Sequence, residues 1–142
     1  MLSVIIVNYN SSELVIDCLR TLYHHNGTAD LEAIVVDNSS SESGRKNIVS
    51  LFPAVQWIDM GYNAGFARAN NAGIRAAKGD TILLLNPDTI SIDNSVMRCY
   101  RALRESEFIA AGVQLLDQQN EPQISGSYFV KGGLNHLLPI PY

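Results

Sequence analysis

Apolar residues along the chain fall into short runs separated by polar turns. The runs at residues 2–7, 31–36, 55–58 and 81–85 are rich in branched aliphatic side chains and lack the alternation of a sheet with one wet face. They predict buried parallel strands. The intervening segments have helical spacing instead. Residues 13–23 place Leu14, Cys18, Leu19 and Leu22 on one face, with Ser11 or Ser12 as N-cap, and a shorter helix is predicted at 44–51, ahead of Pro53. A third, over 66–77, carries a narrow stripe of Phe66, Ala69, Gly73 and Ala76 that predicts close packing, with Gly79 as a stop. A fourth, over 93–105, turns Val96, Cys99, Tyr100 and Leu103 inward and leads to a further apolar strand at 108–116.

Strand and helix therefore alternate. That order predicts an α/β fold: a three-layer α/β/α sandwich around a mostly parallel sheet, with ligands bound beyond the carboxyl ends of the strands. Residues 117–122 form a turn-rich stretch, and 123–130 is expected to pair back as a hairpin. The last segment, 131–142, has two prolines and no periodicity, so residues 1–130 are read as the domain and 131–142 as an irregular tail.

Composition narrows the functional classes. The chain has 142 residues, 46% of them hydrophobic, enough for one compact core. Its net charge of −4 arises from 10 basic and 14 acidic residues with no like-charge run, which argues against nucleic acid as a partner. Cys18 and Cys99 both lie in helical apolar patterns and read as core thiols, which fits a reducing, cytoplasmic setting. The first residues lack a basic flank and reach Asn8 too early for an export signal, and no apolar run approaches the ~20 residues needed to span a bilayer. Contact with the inner face of the cell membrane is still compatible with a lipid-linked substrate.

Chemistry concentrates at three strand ends: Asn8-Tyr9-Asn10, Asp37-Asn38-Ser39 and Asn86-Pro87-Asp88. A nucleotide needs an aromatic or apolar wall for its base and buried hydrogen-bond partners for the base edge and ribose. Tyr9 and Asp37 are candidates, although Tyr9 also suits a cap on the sheet and Asp37 an Asx turn closed through Ser41. A diphosphate needs positive charge, and the chain has no glycine-rich cradle that could supply it from backbone amides. Magnesium or manganese, held by a carboxylate such as Asp88 and by phosphate oxygens, would serve, with Asn86 as a neutral oxygen ligand. Taken alone, Asn-Pro-Asp is ordinary turn chemistry. The segment from Gly61 to Asn71 joins a glycine-bearing loop to a helix start, and Asn70 and Asn71 are unusual inside an alanine-rich helix, either as ligand contacts or as braces for the neighbouring loop.

Four blocks together carry a resemblance: Val4-Ile5-Ile6-Val7-Asn8-Tyr9-Asn10, Ile34-Val35-Val36-Asp37-Asn38-Ser39-Ser40, Asn63-Ala64-Gly65-Phe66-Ala67 through Asn71-Ala72-Gly73-Ile74, and Leu83-Leu84-Leu85-Asn86-Pro87-Asp88-Thr89. In order and spacing the sequence resembles family 2 glycosyltransferases, especially the bacterial rhamnosyltransferase-like branch that builds polysaccharides. The likeness extends to Gly112-Val113-Gln114-Leu115-Leu116 and Ser125-Gly126. The resemblance implies a GT-A fold, a nucleoside-diphosphate sugar donor, a saccharide or lipid-linked acceptor, a divalent cation (Mg or Mn) and inversion at the anomeric carbon. It implies donor contacts from Val7, Tyr9, Asp37, Asn63, Gly65, Asn70, Asn86 and Asp88, with Asp88 as the metal carboxylate of the family's Asp-x-Asp element.

Two positions depart from the family pattern. Asn86 stands where the first aspartate is expected, and Asn70 where many relatives carry arginine, with Arg68 nearby. The general base of an inverting transferase lies well beyond the Asp-x-Asp element, and the last acids of the sequence, Asp117 and Glu121, sit in a turn. The expectation is a donor-binding portion without its acceptor half, active poorly or not at all alone. Two other classes stay open: a catalytically inactive nucleotide-binding domain and a nucleotidyltransferase, although residues 8–12 lack the basic residues the latter uses. A dinucleotide oxidoreductase is disfavoured because the first strand-helix turn lacks Gly-x-Gly-x-x-Gly.

Overall fold

The structure is a computed structural model that describes residues 1–39, 41–117 and 119–123. It divides into two units, Met1–Glu107 and Phe108–Tyr142. The first contains β1 (Leu2–Asn8), α1 (Ser12–Asn26), β2 (Leu31–Asp37), α2 (Glu42–Leu51), β3 (Gln56–Asp59), α3 (Phe66–Ala76), β4 (Thr81–Leu85) and α4 (Ser95–Glu105). The four strands are all parallel, in the order β3-β2-β1-β4. One face of the sheet packs Leu2, Val4, Ile6, Ala33 and Val35 against α1, Ile48 of α2, and Met97 and Tyr100 of α4. The other packs Ile5, Ile34 and Val36 against α3 through Ala69. This is the expected three-layer α/β/α sandwich.

The central strands are buried on both faces because helices cover both sides of them, and each enclosed Ile or Val contributes about 1.5–3 kcal/mol. On the α3 side the cover is thin. A methyl group added at Gly73 would lie 2.6 Å from Ile5 Cγ2 and 3.2 Å from Val36 Cγ2, so the small residues of this helix let its backbone press onto the sheet. Phe66, expected in that apolar stripe, instead stands 60% exposed at the start of α3. The periodicity of Ala69, Ala72 and Ala76 already satisfies the packing face without it.

β4 also departs from expectation. Leu83 and Leu85 pack into the α1/α4 layer, whereas Ile82 and Leu84 are exposed on the opposite face. α3 lies over β1 and β2, and its contacts there leave β4 without a cover on that face among the described residues. Leu14, assigned inward from periodicity, is likewise 47% exposed, and Val15 and Ile16 take its place in the core.

At the amino ends of the strands, Glu32 joins β1 and β2 to the α3–β4 turn. Its carboxylate accepts hydrogen bonds from Ser3 Oγ and from the amides of Lys78 and Gly79. Burial pushes the Glu32 carboxyl up, but these donors and the charge of Lys78 outweigh burial and leave it below its ordinary value of 4.5. A carboxyl depressed on folding stabilises above its unfolded pKa and loses that contribution as pH falls through the folded value. Thermal melts between pH 3 and pH 7 are expected to fall less steeply with acidification in Glu32→Gln than in the native chain. Parallel pH profiles of the two proteins would contradict this role.

In the second unit the run at 108–116 makes one antiparallel bridge among the described residues, Leu116 to Pro122, and most of the segment expected to pair with it lies outside them. The expected turn is present: Asp117 N donates to Glu121 O, Gln123 N to Leu115 O, and Asp117 Oδ1 accepts from the amides of Gln119 and Glu121. Asp117 spends its carboxylate on closing this turn. The matching pair Ser125-Gly126, the predicted strand beyond Gln123 and the expected tail at 131–142 lie outside the described residues.

Candidate functional site

Strand order reverses direction between β1 and β4: the chain moves outward through β2 and β3, then crosses the α3 face to the other side of β1. Such a reversal leaves a crevice at the carboxyl ends of the two adjacent strands. A cleft of about 390 Å³ opens there, lined by Val7, Tyr9, Ser11, Leu14, Asn38, Asn63, Phe66, Asn86, Pro87 and Asp88. Its volume is in the range of small-molecule sites.

The β1 end is set by Asn8, which is fully buried. Asn8 Nδ2 donates to Asp37 Oδ1 at 2.8 Å, and Asn8 Oδ1 accepts from the amide (3.2 Å) and hydroxyl (3.1 Å) of Ser11. Register places Asn8 directly beside Asp37. The chain then turns through Asn10 at φ 52°, and β2 is followed by Ser39 at φ 71°. Left-handed backbone at a non-glycine residue is costly, and both instances sit where strands enter the cleft. Asn38 N donates to Asn8 O at 2.7 Å, while Asn38 Oδ1 accepts from Ala64 N at 3.0 Å. Asn38 thereby ties the β2 end to the loop before α3. In that loop Asn63 Oδ1 accepts from Gly65 N, and Gly65, at φ 80°, starts the helix. The result brings Asn63 and Phe66 to the cleft.

The β4 end is a hydrogen-bonded turn, Thr89 N to Asn86 O at 3.2 Å. Beneath it lies Cys18, whose Sγ donates to Asn86 O at 3.8 Å. Burial, with the charge of Asp88 adding, pushes this thiol up to about 12, so it stays protonated and serves as packing. Among the described residues Asp88 is the only charged side chain lining the cleft, and no Lys or Arg lines it. Among the described residues no group of three or more His, Cys, Asp or Glu side chains is placed to hold a metal. One carboxylate with a nearby amide oxygen is the donor set for a hard cation whose remaining ligands are phosphate oxygens and water.

Of the residues picked from sequence, Val7, Tyr9, Asn63, Asn86 and Asp88 line this one cleft. Asp37 lies behind the lining, 4% exposed and bonded to Asn8. Asn70 is 5% exposed and donates to Phe66 O one turn back, and Gly65 is the hinge before α3. Neither lines the cleft. Asn38, flagged in sequence only as part of a polar strand end, also lines it, and Ser11, Leu14 and Phe66 line it without having been read as ligand contacts. The signal for Leu14 and Phe66 was an apolar residue at the edge of a helical stripe that has enough small or branched neighbours without it.

Comparison with known proteins follows this geometry. The sequence profile described as "Glycosyl transferase family 2" matches residues 3–137. The chain is 32% identical over 148 aligned residues to the low-salt glycan biosynthesis hexosyltransferase Agl10 of Haloferax volcanii, covering 97% of this chain and 46% of that protein. It is 24% identical to the glycosyltransferase GlyG of Streptococcus pneumoniae, covering 91% and 42%. The chain thus spans about half the length of these relatives. Among solved structures it is similar to S. aureus TarS, with TM-score 0.63, 23% identity and coverage of 73% of this chain and 32% of that one. It is also similar to the mannosyltransferase PcManGT of Pyrobaculum calidifontis in complex with GDP-Man and Mn2+, with TM-score 0.60, 24% identity and coverage of 68% and 30%.

Proposed function

The chain belongs to glycosyl transferase family 2, and on that premise we propose that its cleft binds the nucleoside-diphosphate sugar donor of an inverting transfer in polysaccharide synthesis. The acceptor is a saccharide or a lipid-linked saccharide. The observation that carries the reading is the convergence of Tyr9, Asn63, Phe66 and Asp88 on one cleft at the strand-order reversal. Tyr9 and Phe66, 52% and 60% exposed, offer aromatic surface to a base or sugar, and an exposed ring of that size at a cleft gains contact area on binding. Solved relatives of this fold carry UDP, UDP-GlcNAc, or GDP-Man with Mn2+.

A diphosphate brought to a cleft where Asp88 is the only charge among the described residues needs a counter-charge. We propose that Asp88, assisted by Asn86, holds Mg or Mn, which neutralises the diphosphate in the donor complex. Val7 and Asn63 contribute contacts at the cleft wall, with Asp37 and Asn70 supporting from behind it and Gly65 setting the turn into α3. In this scheme the chain supplies the donor side of the reaction, and Asp88, the one carboxylate lining the cleft among the described residues, is committed to metal rather than to acceptor deprotonation.

Calorimetric titration with UDP, TDP and GDP, each with and without manganese, tests the reading. One nucleotide is expected to bind more tightly with metal than without. Absence of binding by all three under both conditions would overturn it. Incubation with a sugar phosphate and a nucleoside triphosphate separates the nucleotidyltransferase alternative, which releases pyrophosphate.

A further inference from the structure

We propose that Asn8 is a positioning residue that sets the hydrogen-bond polarity of the cleft, turning Ser11 into an acceptor for a donor group on the ligand. The inference rests on the nucleotide reading above. The orientation of the Asn8 carboxamide follows from its partners. The Ser11 backbone N–H can only donate, so the Asn8 atom facing it at 3.2 Å is the oxygen, and the nitrogen is left to face the Asp37 carboxylate, 2.8 Å away. That same oxygen lies 3.1 Å from Ser11 Oγ, which obliges the Ser11 hydroxyl to give its hydrogen inward.

Ser11 lines the cleft, so its oxygen meets the ligand with lone pairs rather than with its hydrogen. The groups it suits are hydrogen-bond donors, a ribose hydroxyl or an imide N–H of a base. Aspartate or leucine at position 8 would not do the same work: a carboxylate has no N–H for Asp37, and leucine has neither end. The burial of Asn8 at 0% exposure makes the relay rigid, since a buried carboxamide with both ends bonded has no alternative partners in water. Its backbone carbonyl also holds Asn38 N, so the two cleft-lining residues Ser11 and Asn38 share one anchor.

The test measures the affinity of whichever of UDP, TDP and GDP binds the native chain, alongside the melting temperature of each variant. Asn8→Leu fills the volume but breaks both ends of the relay, and is expected to weaken binding about tenfold. Ser11→Ala should weaken binding too, and the double variant should be no weaker than Asn8→Leu alone, because both act through one contact. Should Asn8→Leu fail to fold, Asn8→Thr carries the test: its hydroxyl is one atom too short to hold both partners, so affinity falls while the fold persists. Folded Asn8→Leu or Asn8→Thr with native affinity would overturn the proposal and leave the nucleotide reading standing. No binding by the native chain would overturn both. The 2′-deoxy and 3′-deoxy diphosphates and the N-methylated base analogue identify the donor: the analogue that lacks it loses affinity in the native chain and loses none further in Ser11→Ala.

Discussion

Replacing Asp88 by alanine is expected to remove the metal-dependent part of nucleoside diphosphate binding, weakening affinity in manganese at least about a hundredfold while metal-free affinity stays within about twofold. The magnitude follows from the site's composition. Perturbing only the outer partners of a metal site costs about 10–100-fold in affinity, and Asp88 is the sole carboxylate lining this cleft among the described residues. The fold should tolerate the change, because Asp88 sits in the turn after β4 and makes none of the core contacts. Asp88→Asn separates charge from shape: it preserves the turn and should lose nearly as much. Calorimetry with and without manganese decides the point, and an unchanged metal-dependent gain in Asp88→Ala would refute the assignment.

The second large effect is on the fold. Gly73→Val is expected to destabilise the protein by about 2–3 kcal/mol, lowering the melting temperature by about 10–20 °C for a unit of this size. The first added carbon already lies 2.6 Å from a methyl group of Ile5, which is itself fully buried, so either α3 lifts or the central strand shifts. Lifting α3 also displaces Phe66 and the loop carrying Asn63, so nucleotide affinity should fall in the same variant. Gly73→Ala should show a smaller loss in the same direction. A melting temperature for Gly73→Val within about 2 °C of the native value would show that the α3 layer is looser than its spacing implies.

The elements were legible in sequence to within a few residues because parallel strands buried on both faces read as continuous apolar runs. The runs at 2–7 and 31–36 appear as β1 (Leu2–Asn8) and β2 (Leu31–Asp37), with helices between. What failed did so for tertiary reasons. TILLL at β4 has the composition of a strand covered on both faces, yet Ile82 and Leu84 are exposed, because coverage is decided by where α3 lands. Leu14 and Phe66 obey helical periodicity but lie at the stripe's edge, where the tilt of the helix on the sheet determines which side wins.

For the cleft, motif spacing found residues at all three strand ends, since ligand sites of parallel sheets gather where strands terminate. It could not rank those residues by depth. Asp37 and Asn70, both read as ligand contacts, are buried behind the surface, and the signal that places them there is hydrogen bonding to Asn8 and to Phe66 O rather than residue type.

The sequence by itself determined the α/β class, the polar strand ends and the presence of one acidic residue, Asp88, in the turn after the fourth strand. These are local properties, set by side-chain periodicity and turn chemistry within a few residues. Only the tertiary structure decided which strands are neighbours, and hence that β1 and β4 adjoin and that Tyr9, Ser11, Phe66 and Asp88 face one cleft. Strand order depends on contacts between residues some 80 positions apart, as in the pairing of Leu2 with Thr81, and no short-range pattern encodes them. The orientation of the Asn8 carboxamide belongs to the same class, because the partner that completes it lies 29 residues away on the next strand.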